Sequence, residues 1–435
     1  MKLIACFILL PLLISACGSA AVLKEKTSLP MQPNSIKSEP IIESDIVRFL
    51  SKDPKIQQLK LAVENGALNR KLIEQSMRPQ VNANSSIGGA NDGSNAELAG
   101  TLQFNLTKDA DLTGAVEQRN NIVDYETEIS RLSILAQANE RLYAILSNLI
   151  SADAANEKIG IIDEGMQEYE KVAGLIEAAH SVGALPKGKY LEIKNQVSDV
   201  ELMKSQIELT RDLALAKLEI ELSGANSKVK RILDKNKQTV AKLKVANGLD
   251  GSVNKINKLR SAILEENLKL ETNSSKWNGS YASSITSSVQ GDPSVFAGVQ
   301  LIKPVYDAGQ SHTRMQIIKN QLVQTSLDLA SLERDVKTAF LSLEKTKRNM
   351  NEGLQLLSNK IDNLYSAQTD LERRRAAGKA QLEELAGNII AIANTRLKQS
   401  EVNFEFKKAK LDYLILNQSL YSAVLSKNEI RQLMN

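Results

Sequence analysis

From Gly309 to Gly378 the chain reads GQSHTRMQIIKNQLVQTSLDLASLERDVKTAFLSLEKTKRNMNEGLQLLSNKIDNLYSAQTDLERRRAAG. Within it Met315, Leu322, Leu329, Val336, Leu343, Met350, Leu357, Leu364 and Leu371 stand seven residues apart without a miss. With 42% apolar residues overall, such a run in one register arises by chance about four times in ten thousand. It is a heptad seam, the pattern by which one helix packs along another. The alternate seam positions, Ile318, Thr325, Leu332, Ala339, Thr346, Gly353, Lys360 and Ala367, are mostly smaller or polar, so the partner helix must come close there. At about 1.5 Å per residue the segment reaches roughly 100 Å, a rod that no globular domain of this size needs.

The same length recurs in the first half of the chain. Gly114 to Gly183 and Gly309 to Gly378 both span 69 residues, which marks an internal repeat with an element of fixed length. Leu132, Leu135, Leu142, Leu146 and Leu149 repeat the helical spacing, and the stretches from Lys189 to Leu222 and from Leu382 to about Gln432 read as return helices. Ahead of them, Ile46, Val47, Leu50, Ile56, Leu59, Val63, Leu68 and Leu72 give a first helical region that starts after Ser44 and stops at Pro79.

Between these helices the period changes to two. Val81, Ala83, Ser85 and Ile87 alternate with Asn82, Asn84 and Ser86; after a turn rich in Gly, Asn and Asp, Leu98, Gly100, Leu102, Phe104 and Leu106 alternate with Ala99, Thr101, Gln103 and Asn105. A second hairpin runs through Trp277, Gly279, Tyr281, Ser283 and Ile285, turns at Gly291-Asp292-Pro293, and returns through Val295, Ala297, Val299 and Leu301. Each hairpin has one apolar and one uncharged polar face. By alternation alone, four such strands suit a half-buried soluble sheet or part of a membrane barrel wall.

The organisation that follows is a first repeat over 44–222 with its hairpin at about 80–107, a connecting segment over 223–252, and a second repeat over 253–435 with its hairpin at about 276–303. Residues 1–16 read as a signal peptide: Lys2, an apolar run from Leu3 to Ile14 too short to span a bilayer comfortably, then small residues. Leu13-Ile14-Ser15-Ala16-Cys17 resembles the bacterial lipobox, so Cys17 is the expected lipidation site and mature N-terminus. Residues 17–43, with Pro30, Pro33 and Pro40 among Ser, Lys and Asn, read as a tether. Gly18, in place of the Asp that holds such lipoproteins at the inner membrane, points to the outer one.

Composition excludes other classes. Lys plus Arg number 55 against 51 Asp plus Glu, a formal +4, which leaves no chain-wide basic footprint for nucleic acid. His180 and His312 stand alone without Cys or carboxylate clusters, so no metal site or catalytic triad is expected. No phosphate-cradling loop or activated nucleophile stands out, so neither enzymatic activity nor a cofactor is expected.

The order of helix, hairpin, long helix, glycine turn and return helix, repeated once, resembles the TolC family of outer-membrane efflux proteins over essentially all of residues 44–430. Asp53-Pro54, Arg78-Pro79, the string Pro304-Val305-Tyr306-Asp307-Ala308-Gly309 and the turn Arg375-Ala376-Ala377-Gly378 carry the likeness. The resemblance implies a mainly α chain with a β-barrel portion, in which three copies build a twelve-stranded outer-membrane barrel on a long periplasmic α-helical tunnel. It implies a homotrimeric exit duct for tripartite efflux or type I secretion, with a periplasmic adaptor protein and an inner-membrane transporter as partners and outer-membrane lipid around the barrel. Asn82, Asn84, Thr101, Gln103, Asn105, Asn278 and Ser280 would line the lumen, and Leu98, Leu102, Phe104, Trp277, Tyr281, Val299 and Leu301 would face lipid or its interface. The periplasmic tip would carry Gly183, Lys189, Arg375 and Gly378. Where the family places carboxylates six and nine positions after the second tip glycine, this chain has Glu384 and Gly387, with Glu383 adjacent, so Glu383 and Glu384 are the gate candidates. The competing reading is a coiled-coil scaffold or adhesin lipoprotein, which would explain Cys17 and the heptads but not hairpins at matched positions.

Overall fold

A computed structural model describes residues 44–91, 96–242, 251–274, 276–288, 292–303, 307–377 and 381–435. The signal peptide, Cys17, the tether, residues 304–306 and Gly378 lie outside the described residues. The chain begins with α1 (Asp45–Leu50) and α2 (Pro54–Ser76), followed by β1 (Gln80–Asn91), β2 (Ala96–Ala110), α3 (Ala115–Ser181) and α4 (Lys187–Glu221). A connecting helix, α5 (Ser227–Lys242), precedes the second round of α6 (Gly251–Ser274), β3 (Asn278–Ser288), β4 (Ser294–Ile302), α7 (Gln310–Ala376) and α8 (Leu382–Leu416). Two short helices, α9 (Leu420–Val424) and α10 (Lys427–Met434), end it.

The repeat is a repeat of geometry. The long helices α3 and α7 both have 67 residues, and the return helices α4 and α8 both have 35. Each long helix starts after a glycine in left-handed backbone, Gly114 at φ 73° and Gly309 at φ 79°, which a side-chain-bearing residue adopts only with strain. A carboxylate tightens each start. Asp111 accepts from the backbone N–H groups of Ala115 (2.9 Å) and Val116 (3.0 Å), and Asp307 accepts from those of Gly309 (3.0 Å) and Ser311 (2.9 Å). Hydrogen bonds from Ser311 and Gly309 hold the Asp307 carboxyl below the usual carboxylate range.

Along α7 all nine heptad residues are buried or half-buried. Val336 and Leu343 pack with Tyr413 of α8, whose ring lies 5.9 Å from that of Phe340. The expected alternate positions hold through Gly353, but Lys360 and Ala367 are exposed and Ile361 and Gln368 are half-buried instead. A helix of 3.6 residues per turn drifts against a strict repeat of seven, and the contact row has moved on by one residue.

The second return helix is shorter than the reading to about Gln432. It stops at Leu416, where Gln418 takes φ 58° and Asn417 Oδ1 accepts from the Ser419 N–H at 3.1 Å. Burial drives the break, because the turn sends Leu420, Tyr421 and Leu433 into a core with Leu142 and Leu146 of α3, Ile46, Val47 and Leu50 of α1, and Leu233 of α5. Asn139, fully buried on α3, satisfies this turn by donating to Gln418 Oε1 and accepting from the Tyr421 N–H. The four strands form one antiparallel sheet in the order β1-β2-β3-β4.

Candidate functional site: sheet faces, open edges and the glycine tip

Residues directly opposite on neighbouring strands share a face. Asn82 lies opposite Asn105, Asn84 opposite Gln103, and Ser86 opposite Thr101, whose hydroxyls are 2.7 Å apart. The pairing continues across the sheet, with Gln103 opposite Thr286, Asn105 opposite Ser284, Ser280 opposite Gln300, and Asn278 opposite Ile302. One face therefore gathers all seven polar residues singled out in the sequence, interrupted by Phe296 and Ile302. At its foot lies a cavity of about 250 Å³, lined in part by Asp109, Asp111, Asn278, Ser280 and Gln300.

The other face is apolar. Val81 pairs with Leu106, Ala83 with Phe104, Phe104 with Ile285, Tyr281 with Val299, and Gly279 with Leu301, while Leu98 takes the register position opposite Gly89. Tyr281, Val299 and Leu301 are more than half exposed, so the chain itself leaves this face uncovered. Lys108 pairs with Tyr281 on it, and the Lys303 ammonium sits 5.9 Å from the centre of the Trp277 ring. Aromatic rings beside long cationic side chains are what a boundary between lipid and water selects.

Both lateral edges of the sheet, β1 and β4, have no strand beyond them among the described residues. The helices show the same incompleteness. Among the described residues α3 packs mainly against α2, α4, α6 and α8, whereas the main neighbours of its repeat-mate α7 are α6 and α8. Accordingly α3 buries sixteen residues and α7 two. Most of the large apolar side chains left exposed on the described helices fall on α7 (Ile317, Leu327, Leu341, Leu356) and on the two other edge helices, α2 (Leu61, Leu68, Leu72) and α4 (Leu202, Leu209, Leu213), with Leu175 of α3 and Ile232 of α5 as exceptions.

The turn between α3 and α4 is built around Gly183 at φ 73°. The N–H groups of Ala184 and Leu185 both donate to Ala179 O, and buried Leu185 packs with Val172, Ile176, Ile193, Leu385, Ala386 and Ile389. His180 stacks on Tyr190 with ring centres 4.2 Å apart, and Lys194 lies over the same ring. Lys189 is exposed and pairs with Glu192 at 3.2 Å. On the second turn, Glu383 and Glu384 occupy the first turn of α8, where the helix dipole favours carboxylates. Glu384 faces Arg374 at 3.6 Å, and Arg374 also reaches Asp370 at 3.7 Å; Arg375 is exposed.

No protein-family model and no curated protein matches the chain. Solved structures do. The Campylobacter jejuni CmeC outer membrane channel is similar over 96% of this chain and 94% of its own, at 12% identity and a TM-score of 0.69. The Vibrio cholerae outer membrane protein VceC is similar over 87% and 95%, at 10% identity and 0.68. CusC, a protein described as forming a transmembrane channel, is similar over 93% and 99%, at 12% identity and 0.67.

The chain has the fold of these outer-membrane channels. Within that fold two features escaped the sequence reading. One is the join of β2 to β3, which makes one sheet of two hairpins separated by 167 residues of chain from Ala110 to Asn278 and is invisible to local alternation. The other is Arg374 as the partner of Glu384, for which the run Arg373-Arg374-Arg375 facing an acidic helix start was the available signal.

Proposed function

We propose that this chain is the outer-membrane channel of a tripartite efflux or type I secretion system, working as a homotrimer with a periplasmic adaptor protein and an inner-membrane transporter at its glycine tip. The observation that carries the reading is the mismatch between α3 and α7. Beside α3 stand α6 and α8 of the other repeat; the matching neighbours that α7 lacks are α2 and α4, and those helices stand at the opposite edge of the same chain with their own apolar residues uncovered. A second copy placed head to tail supplies them, and such contacts close into a ring when the rotation permits. The sheet makes the same demand. β4 and β1 run antiparallel, so β4 of one copy can pair with β1 of the next, and closing the ring removes edges that lipid does not tolerate.

Three copies give twelve strands. Asn82, Asn84, Thr101, Gln103, Asn105, Asn278 and Ser280 then line a wet lumen, and the face of Leu102, Phe104, Tyr281, Val299 and Leu301 meets lipid, with Trp277 at its boundary. Gly183, Lys189, Arg375 and Gly378 belong to the periplasmic tip, where Glu383 and Glu384 narrow the opening. Cys17 carries the lipid anchor. Mass spectrometry of the mature N-terminus is expected to find lipid on Cys17 and an unprocessed precursor in Cys17→Ser.

Planar-bilayer recordings on the purified protein test the reading. The expected result is a heat-dissociable trimer with discrete conductance steps. A monomer that stays soluble once Cys17 is removed and never conducts would overturn it in favour of a coiled-coil scaffold.

A further inference from the structure

The chain's charge is unevenly placed. Between Lys228 and Lys244 the sequence carries seven Lys or Arg residues and one acid, Asp234, although the whole chain has an excess of only four positive charges. Without this stretch the chain would be net acidic. On α5, Val229 and Leu233 are buried in the core beneath, and Lys228, Lys230, Arg231 and Lys235 are exposed.

One basic helix face would be ordinary solvated surface. Here two segments distant in sequence extend it. α1 packs on α5, and α10 packs on α1; Asn226 donates to Asp45 at 3.1 Å, and the Ser44 N–H reaches Gln432 at 3.5 Å. They bring exposed Arg48 of α1, with Lys52 just after it and Lys55 at the start of α2, from one side and exposed Lys427 and Arg431 of α10 from the other. Neighbouring acids are engaged locally. Asp45 lies 3.8 Å from Lys228, Glu429 closes the capping box of α10, and Asp53 caps α2.

The position of this patch narrows the partner. It shares a core with α3 between Leu132 and Ile150, which lies about 25 to 50 Å along that helix from the sheet. Electrostatic reach at physiological salt is about 8 Å, so headgroups of the bilayer around the sheet are too far away. Its composition narrows the partner again. Protein interfaces are depleted in Lys and enriched in aromatic anchors, whereas these exposed cations are mostly Lys, and among the described side chains of α5 the one large apolar residue exposed is Ile232.

We propose that α1, α5 and α10 form a basic collar that binds a carboxylate-bearing cell-wall polymer, the peptidoglycan through which the tunnel passes. This rests on the outer-membrane-channel reading above. Many flexible point charges spread over a surface suit a repeating polyanion, and three copies surround the tunnel with them.

The test is co-sedimentation of the detergent-solubilised full chain with isolated Gram-negative sacculi. Binding is expected at low salt and release at high salt. The combined variant Lys228→Gln, Lys230→Gln, Arg231→Gln and Lys235→Gln is expected to lose at least about tenfold in affinity, with trimer and conductance unchanged. A matched tip variant, Lys187→Gln, Lys189→Gln, Arg373→Gln and Arg375→Gln, is expected to bind as the parent does. Undiminished binding by the collar variant, equal loss in the tip variant, or tighter binding of the parent to phosphatidylglycerol vesicles overturns the proposal. Should the four-fold variant fail to assemble, Arg48→Gln with Lys52→Gln and Lys427→Gln asks the same question and must weaken binding severalfold. Channels that conduct and ignore sacculi sink the collar alone; chains that bind sacculi through the collar and never conduct sink the channel reading alone.

Discussion

Tyr143 of α3 donates a 2.6 Å hydrogen bond to Asp412 of α8, joining the two halves of the chain at the level of their shared core. The bond to an ionised acceptor, with partial burial, pushes the Tyr143 phenol up to about 12. A folded-state value above the unfolded one means the folded chain holds this proton more tightly, so the stabilisation is complete below about pH 10 and is lost as pH rises toward 12. Tyr143→Phe is expected to be less stable at pH 7 by about 1 kcal/mol and to lose less between pH 10 and 12. Parallel denaturation of both proteins across that window checks it; equal alkaline losses would refute the coupling.

The heptad seam predicts a graded response. Leu343 is 5% exposed and packs with Tyr413, whereas Leu357 is only half-buried in the single chain. Leu343→Asp places an unpaired charge in an apolar contact at a cost of about 3 kcal/mol or more. Trimer yield on unheated gels is expected to fall sharply for Leu343→Asp and less for Leu357→Asp. Normal trimers from the double variant would mean that the seam is misread.

At the tip, Arg374 and Glu384 give opposite expectations for one measurement. If Glu384 carboxylates ring the constriction, trivalent cations added on that side block conduction. Glu384→Gln is expected to weaken the block, and Arg374→Gln to strengthen it by leaving the carboxylate without its cation. Gly387 supplies no second carboxylate, and only Glu383→Gln combined with Glu384→Gln is expected to abolish block if both contribute. Single-channel recordings in which neither change moves the block would place the ring elsewhere.

In the proposed barrel the two sheet faces separate selectivity from insertion. Gln103→Lys, on the polar face, is expected to leave the trimer intact and shift ion selectivity toward anions in reversal-potential measurements. Phe104→Lys, one residue away on the apolar face, is expected to cost about 2 to 4 kcal/mol at mid-bilayer and to deplete the channel from the membrane fraction. The reverse pattern would mean that the faces are exchanged.

How much of this was legible in the sequence depended on the range of each signal. Met315 to Leu371 announced a helix because burial on a rod repeats every seven residues, and Asn82 to Leu106 announced strands because a sheet face repeats every two. The equal spacing of Gly114 to Gly183 and Gly309 to Gly378 foreshadowed helices of identical length. Tertiary choices left no such trace. Nothing local marks Gln418 for a left-handed turn, since neither Gly nor Pro stands there; the turn exists because Leu420 and Tyr421 find a core and Asn139 accepts the Tyr421 N–H. The pairing of Glu384 with Arg374 depended on how the second turn closes, which spacing alone does not give.

The unequal neighbourhoods of α3 and α7 have a genetic corollary. In a head-to-tail ring each subunit offers two different edges, so a chain damaged only along α7 still captures a neighbour through intact α2 and α4. In the proposed trimer it is therefore expected to poison assembly instead of dropping out of it. With damaged and normal chains made in equal amounts, only about one ring of three in eight contains normal chains alone. If the proposed ring of three forms, damage along the α7 edge is expected to be dominant over a normal copy, whereas deletion of the whole chain is expected to be recessive.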